Sequence, residues 1–286
     1  MADQRRFRFK PELFTAVREG RAYDLASGWW PGMPVASAHP PFQVHTYRTP
    51  GGMRAEDLFP YAQGSNKENY AFISEVISTT SHAGTHIDAL CHVTAGEDDS
   101  WFGGRSAHEY LGDFGPLRDD ASDFSPFMAR GILLDVAGAL GVERMAPGQP
   151  IGPDELDAAL AFCGVSLSPG DVVLLRTGFM ADWPDPELMG SSEQPGLSLD
   201  GAAWLRRHGP LLVGADNTSL EVSPSLVDGE PQPVHRYLIR THGLPILEWV
   251  YLEDLAADKA FEFLFLALPL NIRGATGSLV RPVALV

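Results

Sequence analysis

Ser81-His82-Ala83-Gly84-Thr85-His86-Ile87-Asp88-Ala89-Leu90-Cys91-His92 decides how the rest of the chain is read. Three of the nine histidines and one aspartate fall within eleven residues, in the spacing H-x3-H-x-D-x3-H. Imidazole is the commonest metal-binding side chain, and a nearby carboxylate suits a hard or borderline divalent ion. The spacing also restricts the backbone. One helix can put His82 and His86 on a face, but Asp88 does not join them there. One straight strand points all four side chains to the same side, yet leaves His82 and His86 about 13 Å apart, too far to share an ion. The segment must therefore bend, and Gly84 tolerates the dihedrals that a bend requires. Beyond the bend, His86 and Asp88 become same-face neighbours. The β-branched run Glu75-Val76-Ile77-Ser78-Thr79-Thr80 reads as the strand leading in. His82, His86 and Asp88 then make three ligands with positions left for water and substrate, the pattern of a catalytic rather than a closed structural site. Mixed nitrogen and oxygen donors admit Zn²⁺ or Mn²⁺. His92, four residues beyond the last of these, is the candidate general acid and base, since imidazole both takes and returns a proton near neutral pH. Cys91 has the opposite strand parity to its neighbours and reads as a buried bystander.

Composition sets the outer limits. The 286 residues are 44% apolar and 20% charged, enough for a sizeable core. A net charge of −16 argues against nucleic acid and anionic membrane surfaces as partners. Two cysteines, Cys91 and Cys163, make no disulfide framework. The start, Met1 to Lys10, is basic but lacks the apolar segment of a secretory signal, and no run approaches 18 apolar residues, so a cytoplasmic protein is expected.

Elsewhere the chain alternates helix and strand signals. Residues 1–23 read as a lead-in with a short helix at Pro11–Glu19, and 24–286 as one domain. Trp29-Trp30 stand in a Gly- and Pro-punctuated loop, as a substrate-pocket wall or an interface. Gln43–Tyr47 alternates as a strand, and His39 and His45 read as structural. Gly96–Gly104 is a loop excursion placed to serve as a substrate lid. Gly131–Val136 and Asp171–Thr177 are short continuous apolar runs, expected as buried strands. Between them a helix follows Gly152, with Leu156, Ala159, Leu160 and Cys163 on one stripe. A helix over Leu199–His208 is expected with Leu199, Ala203 and Leu205 inward. Pro210–Asp216 is a strand, and Asp216 and Ser219 at its carboxyl end are candidate site residues, as open α/β sheets keep their sites there. A helix at Val234–Thr241, strands at Leu244–Val250 and Phe261–Leu270, and a Gly-rich tail complete the chain.

His82-x-Gly84-Thr85-His86-x-Asp88-Ala89-x-x-His92 resembles the HxGTHxDxPxH signature of the metal-dependent cyclase-like hydrolases, the family of bacterial kynurenine formamidase and isatin hydrolase; Leu90 stands where many members carry Pro. The runs around Arg130–Val136 and Gly170–Gly178 and the tail Arg273–Pro282 are similar to that family too. The resemblance implies a single mixed α/β domain of the swivelling β/β/α type. It implies that His235, on a helix, and Glu248, on the following strand, hold a second ion with Asp88 bridging, and that the chain forms a homodimer or higher homo-oligomer. It also implies hydrolysis of a small amide, lactam or ester. A polyketide-type cyclase or dehydratase using the same ion and His92, or a metal-bearing binding protein without catalysis, stands as the alternative.

Overall fold

The continuous apolar runs build one sheet buried on both faces. In this computed structural model, which describes residues 9–56, 61, 66–185 and 191–286, the main strands are β1 (Ala22–Asp24), β2 (Gln43–Arg48), β3 (Ser74–Ser78), β4 (His86–Asp88), β5 (Phe127–Asp135), β6 (Val172–Arg176), β7 (Leu212–Ala215), β8 (Ile246–Glu248), β9 (Glu262–Ala267), β10 (Gly277–Leu279) and β11 (Val283–Leu285). Residues 1–8 of the expected lead-in and residues 186–190 lie outside the described residues.

Nine of these strands form a mixed sheet in the order β1-β11-β9-β5-β6-β7-β8-β4-β10. β5, β6, β7 and β8 run parallel, and the flanking pairs are antiparallel. Parallel strands need covered faces, and their near-continuous apolar sequence follows from that. Alternate residues serve opposite sides: Ile132, Leu134, Val173 and Leu175 pack into one cluster, and Leu133, Val172 and Leu174 into the other. The first cluster is roofed by helices α1 (Pro153–Cys163) and α2 (Leu199–Arg207).

α1 begins with Pro153 in its first turn, where a missing N–H costs nothing, and ends at Gly164 in the left-handed conformation. Leu156, Ala159 and Cys163 are buried as its stripe requires, with Leu160 at the edge. In α2 the inward face is Ala202, Trp204 and Leu205, not Leu199 and Ala203, which are only half-buried. The helix is thus turned about its axis relative to the expected face, with the large Trp204 side chain against the apolar cluster. The expected helix at 234–241 is one α-helical turn, α3 (Pro233–His235), continued as a π-helix over Arg236–Thr241. No helix among the described residues is long and apolar enough to cross a membrane.

β2 and β3 stand apart as a two-stranded antiparallel ribbon. Residues on both of its faces are exposed, and Ser78 at its end leads into the histidine segment.

Candidate active site

The register of β4 against β8 assembles the centre. Glu248 lies opposite His86, and Ile246 opposite Asp88. Cross-strand partners share a face of the sheet, and residues two apart on a strand do too. His86, Asp88 and Glu248 therefore project together, while Ile87 turns into the apolar cluster on the other side. His82 reaches the same place from the bend. Gly84 takes φ +55°, and a Cβ on it would lie 2.7 Å from Ser27 Oγ and 2.9 Å from Met33 Cε. Trp29 braces this turn by donating its indole N–H to the Ala83 carbonyl at 2.7 Å. α3 delivers His235.

Distances within the cluster are short. His86 Nε2 is 3.3 Å from Asp88 Oδ1 and 3.3 Å from Glu248 Oε2. His235 Nε2 is 3.1 Å from Glu248 Oε1 and 3.7 Å from Asp88 Oδ2. His82 Nδ1 is 2.8 Å from Asp88 Oδ1, and its Nε2 is 2.9 Å from Thr276 Oγ1. His92 stacks on His82 with ring centroids 4.1 Å apart, and its Nε2 lies 3.8 Å from Asp88 Oδ2. Among the described residues, two groups of side chains are close enough to hold an ion: His82, Asp88 and His92, and His86, Asp88 and Glu248, so that the expected trio of His82, His86 and Asp88 is divided between them. Asp88 belongs to both.

Partners fix the ring tautomers. His86 Nδ1 faces the Gly84 carbonyl at 2.7 Å, an acceptor only, so it carries a proton and leaves Nε2 for the carboxylates. His82 donates through Nδ1 to Asp88 and accepts from the Thr276 hydroxyl. Burial pushes the His82 imidazole down to about 4 despite Asp88, so the ring is neutral at pH 7. Burial acts the same way on His86, but Asp88 and Glu248 outweigh it and lift that ring to about 10. His235 is likewise raised, by Glu221 and Glu248 against burial. Burial opposes ionisation of Asp88, yet His92, His82 and His86 hold it well below the usual carboxylate range.

The donor set fits a divalent cation. Asp88 and Glu248 are both buried, and one oxygen of each, Asp88 Oδ2 and Glu248 Oε1, has no hydrogen-bond partner among the described residues. A buried carboxylate oxygen left unpaired is costly, and here both are ringed by imidazoles. Nitrogen and carboxylate donors together suit a hard or borderline divalent ion.

The remaining candidates separate. His92 is the most open of the imidazoles at 24% side-chain exposure, against 5% or less for His82, His86 and His235. His39, read as structural, stacks on His82 at 5.0 Å and belongs to the rim of the site. Trp30 meets Trp183 edge to face at 5.5 Å, and Trp183 meets Trp249 at 5.6 Å, an aromatic wall that starts from the N-terminal loop. Cys91 is buried beside Ala89 and Trp101, and burial pushes its thiol up to about 12. Asp216 does not reach the centre. It accepts from the Thr177 hydroxyl at 2.7 Å and from the backbone N–H groups of Thr177, Gly178 and Phe179, tying β7 to the turn after β6. Ser219 donates to the Glu221 carbonyl at 3.4 Å and stays outside as well. The 96–104 excursion is pinned: Arg240 donates to the Ala95 and Ser100 carbonyls, and Trp101 is buried. Glu221 and Thr276 touch the histidines although the sequence reading passed over them. Glu221 sits in no motif, Thr276 lies in the Gly-rich tail without a role assigned to it, and only the fold brings Thr276 to His82.

Residues 23–222 match the Cyclase family. Among solved structures, a novel cyclase superposes with a TM-score of 0.81 at 28% identity, over 97% of this chain and 92% of that one. Isatin hydrolase A from Ralstonia solanacearum superposes with a TM-score of 0.67 at 19% identity, over 92% and 91%. A potential metal-dependent hydrolase with cyclase activity gives a TM-score of 0.58 at 19% identity, over 92% and 98%.

Proposed function

This chain belongs to the Cyclase family, and we propose that it is a metal-dependent hydrolase opening the C–N bond of a small aromatic amide or lactam. The observation that carries the reading is the pair of orphaned carboxylate oxygens, Asp88 Oδ2 and Glu248 Oε1, inside a ring of buried imidazoles. In this reading His82, His86 and Asp88 would be the first ligands and His235 and Glu248 would join the shared Asp88 in a second set, while His92, which lies with His82 and Asp88, is kept as the proton carrier. Zn²⁺ or Mn²⁺ bound there supplies Lewis acidity toward a carbonyl oxygen and makes a water more acidic.

The chain's own residues do the rest. Asp88 and Glu248 keep the centre anionic and so favour a cation over a free anion. His92, at the open side, takes the proton of the water that attacks the carbonyl carbon. As the C–N bond breaks, the same ring returns that proton to the leaving nitrogen, so the products are a carboxylate and an amine. Trp30 and Trp183, packed edge to face, offer an aromatic wall for the substrate ring, and Trp29 holds the turn that carries His82. The likeness in fold to isatin hydrolase A, whose name specifies a lactam-opening activity, supports this substrate class.

The test couples metal analysis of the purified protein with a screen of N-formyl arylamines, isatin-like lactams and aryl esters. Stoichiometric Zn²⁺ or Mn²⁺ and release of a carboxylic acid from an amide or lactam are expected. A cyclised or dehydrated product from a carbonyl substrate, without consumption of water, would favour the cyclase chemistry that gives the family its name.

A further inference from the structure

Glu221 lies outside every motif, yet the structure builds a place for it. Its carboxylate contacts His235 Nδ1 directly. Its Oε2 accepts the backbone N–H of Val234 at 3.0 Å, and its Oε1 that of His235 at 3.1 Å. Both oxygens are thus engaged at the start of α3, Oε1 twice and Oε2 once, and the residue is 3% exposed. A carboxylate already accepting three N–H groups has little capacity left to bind a cation itself.

The backbone around it is equally constrained. Leu220 has φ +59°, a left-handed conformation that costs a branched L-residue roughly 1–2 kcal/mol. That conformation puts the Leu220 side chain wholly in the core while Glu221 turns toward His235. Gly196 backs the segment so closely that a Cβ there would lie 2.4 Å from the Glu221 carbonyl carbon. Asn217 Nδ2 donates to the Glu221 carbonyl at 3.2 Å, and Val222 N–H to the Leu197 carbonyl. A surface glutamate that happened to meet a histidine would show none of this.

The consequence appears at the other edge of the ring. With Nδ1–H given to Glu221, Nε2 of His235 faces Glu248 Oε1 at 3.1 Å and Asp88 Oδ2 at 3.7 Å. Those are the same two oxygens that lack hydrogen-bond partners among the described residues. We propose that Glu221 is a positioning residue for the cation centre: it fixes the tautomer and the plane of His235 so that Nε2 meets the free oxygens of Asp88 and Glu248. The inference rests on the cation site proposed above and assigns it a residue that never touches the ion. Carboxylates that hold a ligand histidine in this way contribute about 10- to 100-fold in metal affinity.

Glu221→Gln is the informative variant. The amide keeps the length, but it has one acceptor oxygen where three N–H groups need two. Zn²⁺ affinity is measured by chelator competition on the intact protein, and the protonation of each His235 ring nitrogen by ¹⁵N NMR of the Zn²⁺-loaded protein. The expected results are affinity 10- to 100-fold weaker in Glu221→Gln, and a wild-type His235 with the proton on Nδ1 and none on Nε2. Unchanged Zn²⁺ affinity in a folded Glu221→Gln protein would overturn the proposal and leave the cation site standing. A wild type that binds no Zn²⁺ or Mn²⁺ would remove the cation site, and this proposal with it. If Glu221→Gln does not fold, the wild-type spectrum decides, because a proton on His235 Nε2 with Nδ1 bare contradicts the assignment.

Discussion

Asp88 is the residue on which the site turns, because both groups of candidate ligands use it. Without a cation, its charge and that of Glu248 are met by protonated His86 and His235. The sign of the pH dependence follows. The folded value of His86, about 10, lies above its ordinary 6.5, so its contribution to the stability of the cation-free protein is complete below pH 6.5. That contribution fades as pH rises through about 10. Urea unfolding of metal-stripped protein should therefore show stability falling between pH 7 and 10. Cation uptake must displace the Nε2 proton, so binding at pH 8 should release protons and affinity should rise with pH across that window. Calorimetry in two buffers of different ionisation enthalpy checks this; a binding enthalpy independent of buffer would contradict it. The motif histidines, Asp88 and Cys91 were legible as residues because spacing and strand parity constrain them. Glu221, Thr276 and His39 were not, since their roles depend on contacts between segments far apart in sequence.

At the scale of elements, the bend and the strand ends carry the account. Gly84 combines a left-handed φ with a Cβ position already filled by Ser27 and Met33. Gly84→Ala should destabilise the fold by about 2–4 kcal/mol and displace His82, through backbone strain and overpacking together. Chemical denaturation measures the first effect and metal content the second. Asp216 gives a second test. Both its oxygens accept, so Asp216→Asn leaves a buried donor without a partner and should cost about 1–3 kcal/mol with little change in metal content. The buried strands were legible from their apolar runs, though several proved shorter than the runs that announced them. Leu244–Val250 yields only Ile246–Glu248 as strand, because pairing stops where Trp249 takes a positive φ. The rotation of α2 and the π-helix after His235 had no signal in periodicity, since each is set by what packs against it.

For the whole molecule, self-association is a proposal, and the exposed surface says where it would act. Trp29 and Trp30 are half-buried, Trp29 bonded to the Ala83 carbonyl and Trp30 packed on Trp183. Among the exposed apolar side chains, Val44 and Ile77 are cross-strand partners on one face of the ribbon of β2 and β3, with Ile73 just before β3. A two-stranded ribbon is marginal by itself in water, and an apolar patch of this kind marks a contact surface. We propose that a second copy of this chain covers it. Light scattering should report a dimer at micromolar concentration, and Ile73→Glu with Ile77→Glu should yield a monomer that keeps its fold. A monomeric wild type would contradict the proposal.

The central claim is that the imidazole ring around Asp88 and Glu248 serves hydrolysis with His92 as the proton carrier. The most direct measurement is turnover of an isatin-like lactam or N-formyl arylamine by His92→Asn, with metal content determined on the same sample. The account predicts an unchanged metal content and a kcat lower by about 10²- to 10⁴-fold. Undiminished turnover with the metal retained would contradict it, and so would loss of the metal along with activity, which would make His92 a ligand rather than the base.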